Sequence, residues 1–251
     1  MIRALGGTFV PLGEIVARLN QPHRAPDNRS RARLQVALTF DDGPIYEVSP
    51  FDHPSAGRQP GFLQIMRDFS RTLPSDRQSA FRATSFVIAS PSARRQIETS
   101  FDAEYTYLGR GSMADDWWLP AVETGLIEIA NHSWDHLHPG LEEVQHSEQA
   151  KGDFTRVACA QDADRQIAVA ARFIAHRTNN RAQPYFAYPF GHYNSYLTDE
   201  YFPHSHRNGM KAAFTVDATP VQPDQSLWRI PRYVCGHHWR EPEALARILL
   251  G

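Results

Sequence analysis

Leu34-Gln35-Val36-Ala37-Leu38-Thr39-Phe40-Asp41-Asp42-Gly43-Pro44 is the stretch on which the fold turns. Leu34 to Phe40 is a compact apolar run, and the Asp-Asp-Gly-Pro after it breaks it, so a buried strand followed by a turn is expected. Similar runs recur at Ala83 to Ala89, Leu126 to Ala130, Tyr185 to Tyr188, Ala212 to Val216 and Ile230 to Cys235. Helical spacing fills the intervals. It is seen in Phe62 to Leu73, in Asp115 to Glu123 and around Tyr196 to His206. A further helix, capped by Asp162 or Asp164, carries Ile167, Ala170, Ala171 and Ile174 on one face, and an amphipathic one closes the chain at Glu241 to Leu250. Strands alternating with helices predict an α/β fold with parallel strands. In such folds the site lies where the strands end. Residues 45–60 and 99–112 read as inserted loops.

The chain has 251 residues and 41% apolar content, enough for one α/β barrel domain over 1–251. A net charge of -2 argues against a nucleic-acid partner. Lys151 and Lys211 are the only lysines, and neither sits in a Schiff-base or P-loop motif. Cys159 and Cys235 are the only cysteines, without zinc-ribbon spacing, and are read as free thiols. No run approaches the roughly 18 apolar residues of a membrane span. Met1 to Gly7 has no apolar signal-peptide core, which predicts a cytoplasmic protein; a leader upstream would change that reading.

Two motifs carry chemistry. In Thr39-Phe40-Asp41-Asp42-Gly43-Pro44, adjacent carboxylates at a strand end point in different directions, so one can bind a metal while its neighbour acts as a base. Alone, the same residues read first as a solvated turn. In Asn131-His132-Ser133-Trp134-Asp135-His136-Leu137-His138, His132 and His136 are four apart and on a helical turn would face one way. Two imidazoles and one carboxylate leave an open position, as catalytic zinc sites do. Asp42, His132 and His136 then make a ligand set, and Asp41 remains to take a proton from attacking water.

These residues resemble the polysaccharide deacetylases, the NodB-homology domains of carbohydrate esterase family 4. TFDDGP at 39–44 is similar to that family's first motif, and HSWDH at 132–136 to its H-[ST]-x-x-H motif. Arg82 to Ile88 resembles its A-T-F-F-V strand, and FAYPFGHYN at 186–194 its third motif. The likeness runs from about Leu34 to Val234. It implies a distorted (β/α) barrel with fewer than eight strands and removal of an N-acetyl group from an acetamido sugar. It also implies Asp41 as general base and Asp42, His132 and His136 as metal ligands. The metal would be divalent, with zinc the default and Co, Ni, Mn or Fe alternatives. The Phe190 N–H would face the oxyanion, and Gly191 would let substrate approach closely.

Several positions depart from the family pattern. Its third-motif Arg is replaced here by Ala187, and Arg232 is the candidate substitute, with a surface ion pair as the competing reading. Asp217 is the best match to the fourth-motif Asp. His237 and His238 stand roughly where a general-acid His is expected. Trp117, Trp118, Phe101, Tyr105 and Tyr107 read as core or loop anchors before sugar platforms. His53 lies in the loop after the first motif. His146, His176, His204 and His206 read as exposed or helix-end residues. The partner expected is an acetamido sugar, nucleotide-linked, lipid-linked or oligomeric, from bacterial surface-glycan biosynthesis. A small non-sugar amide or cyclic imide as substrate, or an inactive glycan-binding protein, are the alternatives.

Overall fold

The computed structural model describes residues 1–21, 34–100, 110–204, 206 and 208–251. Phe101, Tyr105 and Tyr107 lie outside them, as does most of the predicted 99–112 loop. The strands are β1 (Thr8–Phe9), β2 (Gln35–Val36), β3 (Leu38–Asp42), β4 (Phe51–His53), β5 (Gly57–Gln59), β6 (Ala83–Val87), β7 (Ile127–Asn131), β8 (Tyr185–Ala187) and β9 (Ala212–Phe214). The main sheet runs β3-β6-β7-β8-β9, every pair parallel. This is the predicted α/β architecture, a curled part-barrel of five strands covered by helices.

Residue size on the two faces of the sheet follows the pleat. Outward residues such as Ala83, Val87, Ile127 and Ile129 pack against Leu63, Met66, Trp118 and Ile174 of the helices. Phe186 and Ala213 pack against Ile167, Leu197 and Phe202. The concave face carries Ala130, Ala187 and Ala212 between the larger Phe86 and Phe214. Leu12 and Val16 of the helix Leu12–Leu19 join that inner cluster. Trp117 and Trp118 are buried core residues, as read.

Several elements differ from expectation. The first predicted strand is split, because Gln35–Val36 pairs with Thr8–Phe9 instead of the main sheet. The loop 45–60 contains a 3-10 turn, Ile45–Glu47, and the antiparallel hairpin β4-β5. The helix Pro91–Thr99 was not anticipated, although Ser90 caps it through Ala93 N–H and Pro91 starts it. Asp162 caps nothing: the helix begins at Ala160, and Asp162 lies buried within it, accepting from Ser147. Ile230 makes a single parallel bridge to Phe214, and no strand follows. The Thr215 carbonyl that a continuing ladder would use accepts the Arg232 side chain instead. His146 is buried, bonded to the Arg156 carbonyl and 3.6 Å from Asp162. Both cysteines are free thiols. Among the described residues no helix is long and apolar enough to cross a membrane.

Glu47 is fully buried on the 3-10 turn after β3, near Ser85 and Arg94. Among the described residues neither carboxyl oxygen makes a hydrogen bond of good geometry, the Ser85 hydroxyl being the polar side chain beside it. Burial pushes its pKa well above the ordinary carboxylic range, outweighing Ser85 and Arg94. The folded state therefore holds this proton where the unfolded chain has lost it. The stability it contributes is complete below the unfolded value of about 4.3 and falls as pH rises through the folded one. Glu47→Gln should remove that loss, so the variant should gain on the wild type in thermal melts between pH 5 and 8. Parallel melting profiles over that range would refute the assignment.

Candidate active site

Parallel in-register pairing sets Asp42, Val87 and Asn131 at one level on β3, β6 and β7. Asp42 ends its strand and His132 follows Asn131 directly. His132 Nε2 lies 3.5 Å and His136 Nε2 3.7 Å from Asp42 Oδ1. One ligand atom from each of the three residues falls within 4.8 Å of the others. The two separations are too long for good hydrogen bonds. They approach the edge, about 3.4 Å, of a tetrahedron with bonds of about 2.1 Å. The His132 Nδ1 lies 2.8 Å from the Ala187 carbonyl. Such a bond leaves Nε2 bare toward Asp42, as metal-ligating imidazoles require. Both imidazoles are buried while half the Asp42 side chain is exposed, so the cleft opens on the Asp42 side. The donor set and its spacing fit a divalent cation.

The two histidines do not meet on a helical turn. Residues 132–138 form an irregular loop in which Ser133, His136 and Leu137 have positive φ of 73°, 63° and 45°. Left-handed backbone at non-glycine residues costs on the order of 1–3 kcal/mol each, so the surroundings must hold it. Buried Asp135 does much of this, accepting from Leu137 N–H, Gln145 N–H and the Gln166 amide. Asn131 bonds Ser133 N–H and the Ile167 carbonyl, and Ser133 Oγ accepts from His136 N–H. The rings of His132 and His136 end 4.8 Å apart. Burial, then the neighbouring imidazoles, drives the His136 pKa well down, which keeps it neutral and able to ligate.

Arg232, the candidate for the missing motif arginine, lies against Asp41. Its guanidinium grips Asp41 with both arms, Nη1 to Oδ1 at 2.7 Å and Nη2 to Oδ2 at 2.9 Å. It also bonds Thr39 Oγ1 and lies 5.2 Å over the Phe86 ring. Burial alone would raise the Asp41 pKa. The Arg232 charge, then His132, overcomes it and holds the carboxyl below its ordinary value. Asp42 has no such pair, and its pKa is raised by desolvation of the part turned in toward the imidazoles, with the Asp41 charge beside it adding to the shift.

On the neighbouring strand end, Phe190 has φ of 59° and its ring packs edge-on against His136 at 4.3 Å. Its N–H has no acceptor among the described residues. Asn194, which ends the third motif, is an anchor: its amide donates to Thr155 and Val157 carbonyls. Asp217 is exposed and bonded to Thr215 and Tyr193. His237 and His238 pack on each other, and no contact joins them to the Asp41-Asp42-His132-His136 centre among the described residues. His53, in the β4-β5 hairpin, accepts from Ser55 and Ala56 N–H. His138, in the same His-rich run, has its ring 6.2 Å from that of His136.

The sequence profile of the polysaccharide deacetylase family matches residues 28–209, and the chain belongs to that family. Solved structures share the fold. A Streptococcus pyogenes deacetylase, PplD, determined with acetate, aligns with a TM-score of 0.60 at 17% identity, over 97% of this chain and 80% of its own. A de-N-acetylase from Aggregatibacter actinomycetemcomitans aligns with a TM-score of 0.60 at 15% identity, over 98% and 85%. IcaB from Ammonifex degensii gives 0.59 at 20% identity, over 99% and 83%. A comparison with curated protein sequences finds no match.

Gly191 serves the protein's own packing. At its φ of +72° a Cβ would meet Val216 Cγ2 at 2.1 Å. Gly191→Ala should therefore lower stability by about 1–3 kcal/mol in urea denaturation, through both backbone and contact. A variant as stable as wild type would show that the β8 turn yields freely.

Proposed function

We propose that the protein is a metal-dependent hydrolase that removes the N-acetyl group of an acetamido sugar in bacterial surface-glycan biosynthesis. The carrying observation is the Arg232-gripped Asp41 carboxylate beside the Asp42-His132-His136 set. Membership of the family supports the sugar amide as substrate. So do the similar folds described as deacetylase and de-N-acetylase. Zinc is the proposed ion, with Co, Ni, Mn or Fe able to serve the same donors.

A divalent cation held by Asp42, His132 and His136 would polarise the amide carbonyl and acidify a water. The chain's own residues do the rest. Asp41, kept ionised by Arg232, takes the proton of the attacking water. The guanidinium fixes both carboxylate oxygens, so Asp41 can neither turn away nor displace Asp42 as a ligand. The free Phe190 N–H donates to the oxygen that gains charge as the carbonyl carbon becomes tetrahedral, a contribution of about 3 kcal/mol in comparable sites. The C–N bond then breaks, releasing acetate and the sugar amine. His237 and His238, on the loop after Arg232, are the proposed donors of the amine's proton.

The first test is acetate release from acetamido sugars that are oligomeric, nucleotide-linked or lipid-linked. Activity should appear with added divalent metal, vanish with chelator and return on reloading. Asp41→Asn should lower kcat/KM by about 10²–10⁴-fold with metal content unchanged. No acetate from any sugar by a metal-loaded protein would shift the reading to a small amide or to glycan binding.

Proton donation has its own test. His237→Ala and His238→Ala should slow release most for sugars with the poorest leaving amines. Unchanged rates in both would exclude them as donors and leave Asp41, protonated by the attacking water, to supply the proton.

A further inference from the structure

Arg94 is 1% exposed on the helix Pro91–Thr99, and all five of its N–H donors are used on backbone carbonyls. Nη1 donates to Asp42 O at 2.9 Å and Ile88 O at 3.2 Å. Nη2 donates to Gly43 O at 2.5 Å and Ala114 O at 3.0 Å, and Nε to Met113 O at 2.6 Å. The guanidinium also lies 5.2 Å from the centre of the Trp118 ring. One side chain thus joins the ends of β3 and β6 to the segment before the helix Trp118–Glu123.

Two of those carbonyls belong to the positive-φ backbone where β3 ends. Asp42 has φ of 70° and Gly43 of 69°. Positive φ is uncommon outside glycine, although Asp tolerates it better than most, and two such residues in succession are steadied by an outside restraint. Gly43 is also confined by Val87, whose Cγ1 would lie 2.5 Å from an added Cβ. The segment leading into the Arg94 helix reaches the histidine loop too, through Ala89 N–H to Ser133 O at 3.0 Å and Ser90 N–H to Trp134 O at 2.7 Å. The loops bearing both kinds of ligand are therefore bolted to one platform.

Resting on the metal reading above, we propose that Arg94 is a positioning residue for the metal centre: it holds the Asp42–Gly43 peptides so that the Asp42 carboxylate meets His132 and His136. It touches no ligand side chain and acts through the backbone alone. Burial lowers its pKa to about 10, against Asp115, Glu47, Asp42 and Glu98 nearby, so it stays charged at neutral pH. Lysine cannot replace it. An ammonium has three donors at one point, against five spread over a planar fork.

The test is zinc binding to the full chain, by calorimetry against a competing chelator, for wild type, Arg94→Lys and Arg94→Gln. Each variant's metal-free melting temperature is read in parallel. The expected result is a zinc dissociation constant about 10–100-fold weaker in the variants, as for other outer-shell changes. Saturating zinc should restore most of kcat, because Asp41 and Arg232 are untouched. If Arg94→Lys does not fold, Arg94→Gln, which keeps an amide donor pair and buries no charge, carries the comparison. Variants that bind zinc like wild type, with only a lower metal-free melting temperature, would overturn the proposal and leave the metal centre standing. A wild type that binds no divalent metal would remove both.

Discussion

The structure depends on in-register parallel pairing of β3, β6 and β7. Adjacent strands lie about 4.8 Å apart, so the ends of β3 and β7 are separated by about twice that distance. Side chains must cover it, and they do: Asp42 reaches from one side, His132 and His136 from the other, until their donor atoms lie within 4.8 Å. A slip of one residue in β3 would turn Asp42 toward the concave face and Asp41 away from it, exchanging the two carboxylates. Register is therefore what distinguishes them.

Around that frame electrostatics sets the two carboxylates apart. Asp41 and Asp42 are neighbours in the chain, yet only Asp41 has a guanidinium across both oxygens. Arg232 keeps its charge and its orientation, while Asp42 is left open toward the imidazoles. Both arginines of the site act as rigid forks, Arg232 on a carboxylate and Arg94 on five carbonyls. The positive-φ residues Asp42, Ser133, His136 and Phe190 all fall at strand ends around the cleft. Around the first three, the hydrogen bonds of Asp135, Asn131 and Arg94 hold the backbone.

Much of this was legible in the residues. The apolar runs marked all five strands of the main sheet, because a strand buried on both faces needs continuous apolar sequence. The candidate trio was legible because Asp42 and His132 stand at or just after strand ends and His136 follows in the same motif. Asp41 followed from the motif that carries Asp42. The loop conformation was not: a spacing of four suggested a helical turn, whereas Asp135 and Ser133 impose left-handed residues instead. Nor did the chain announce that His146 and Glu47 are buried.

What the sequence determined by itself is local: where strands run, where they stop, and which ligand-type residues stand at the stops. Only the tertiary structure decided the rest. Arg232 grips a carboxylate 191 positions away, and Arg94 bonds a carbonyl 52 positions away. Neither arginine differs in local pattern from the chain's many surface arginines. Burial and partner were set by the curvature of the sheet and the packing of the helices on it, and no short window of residues carries that information.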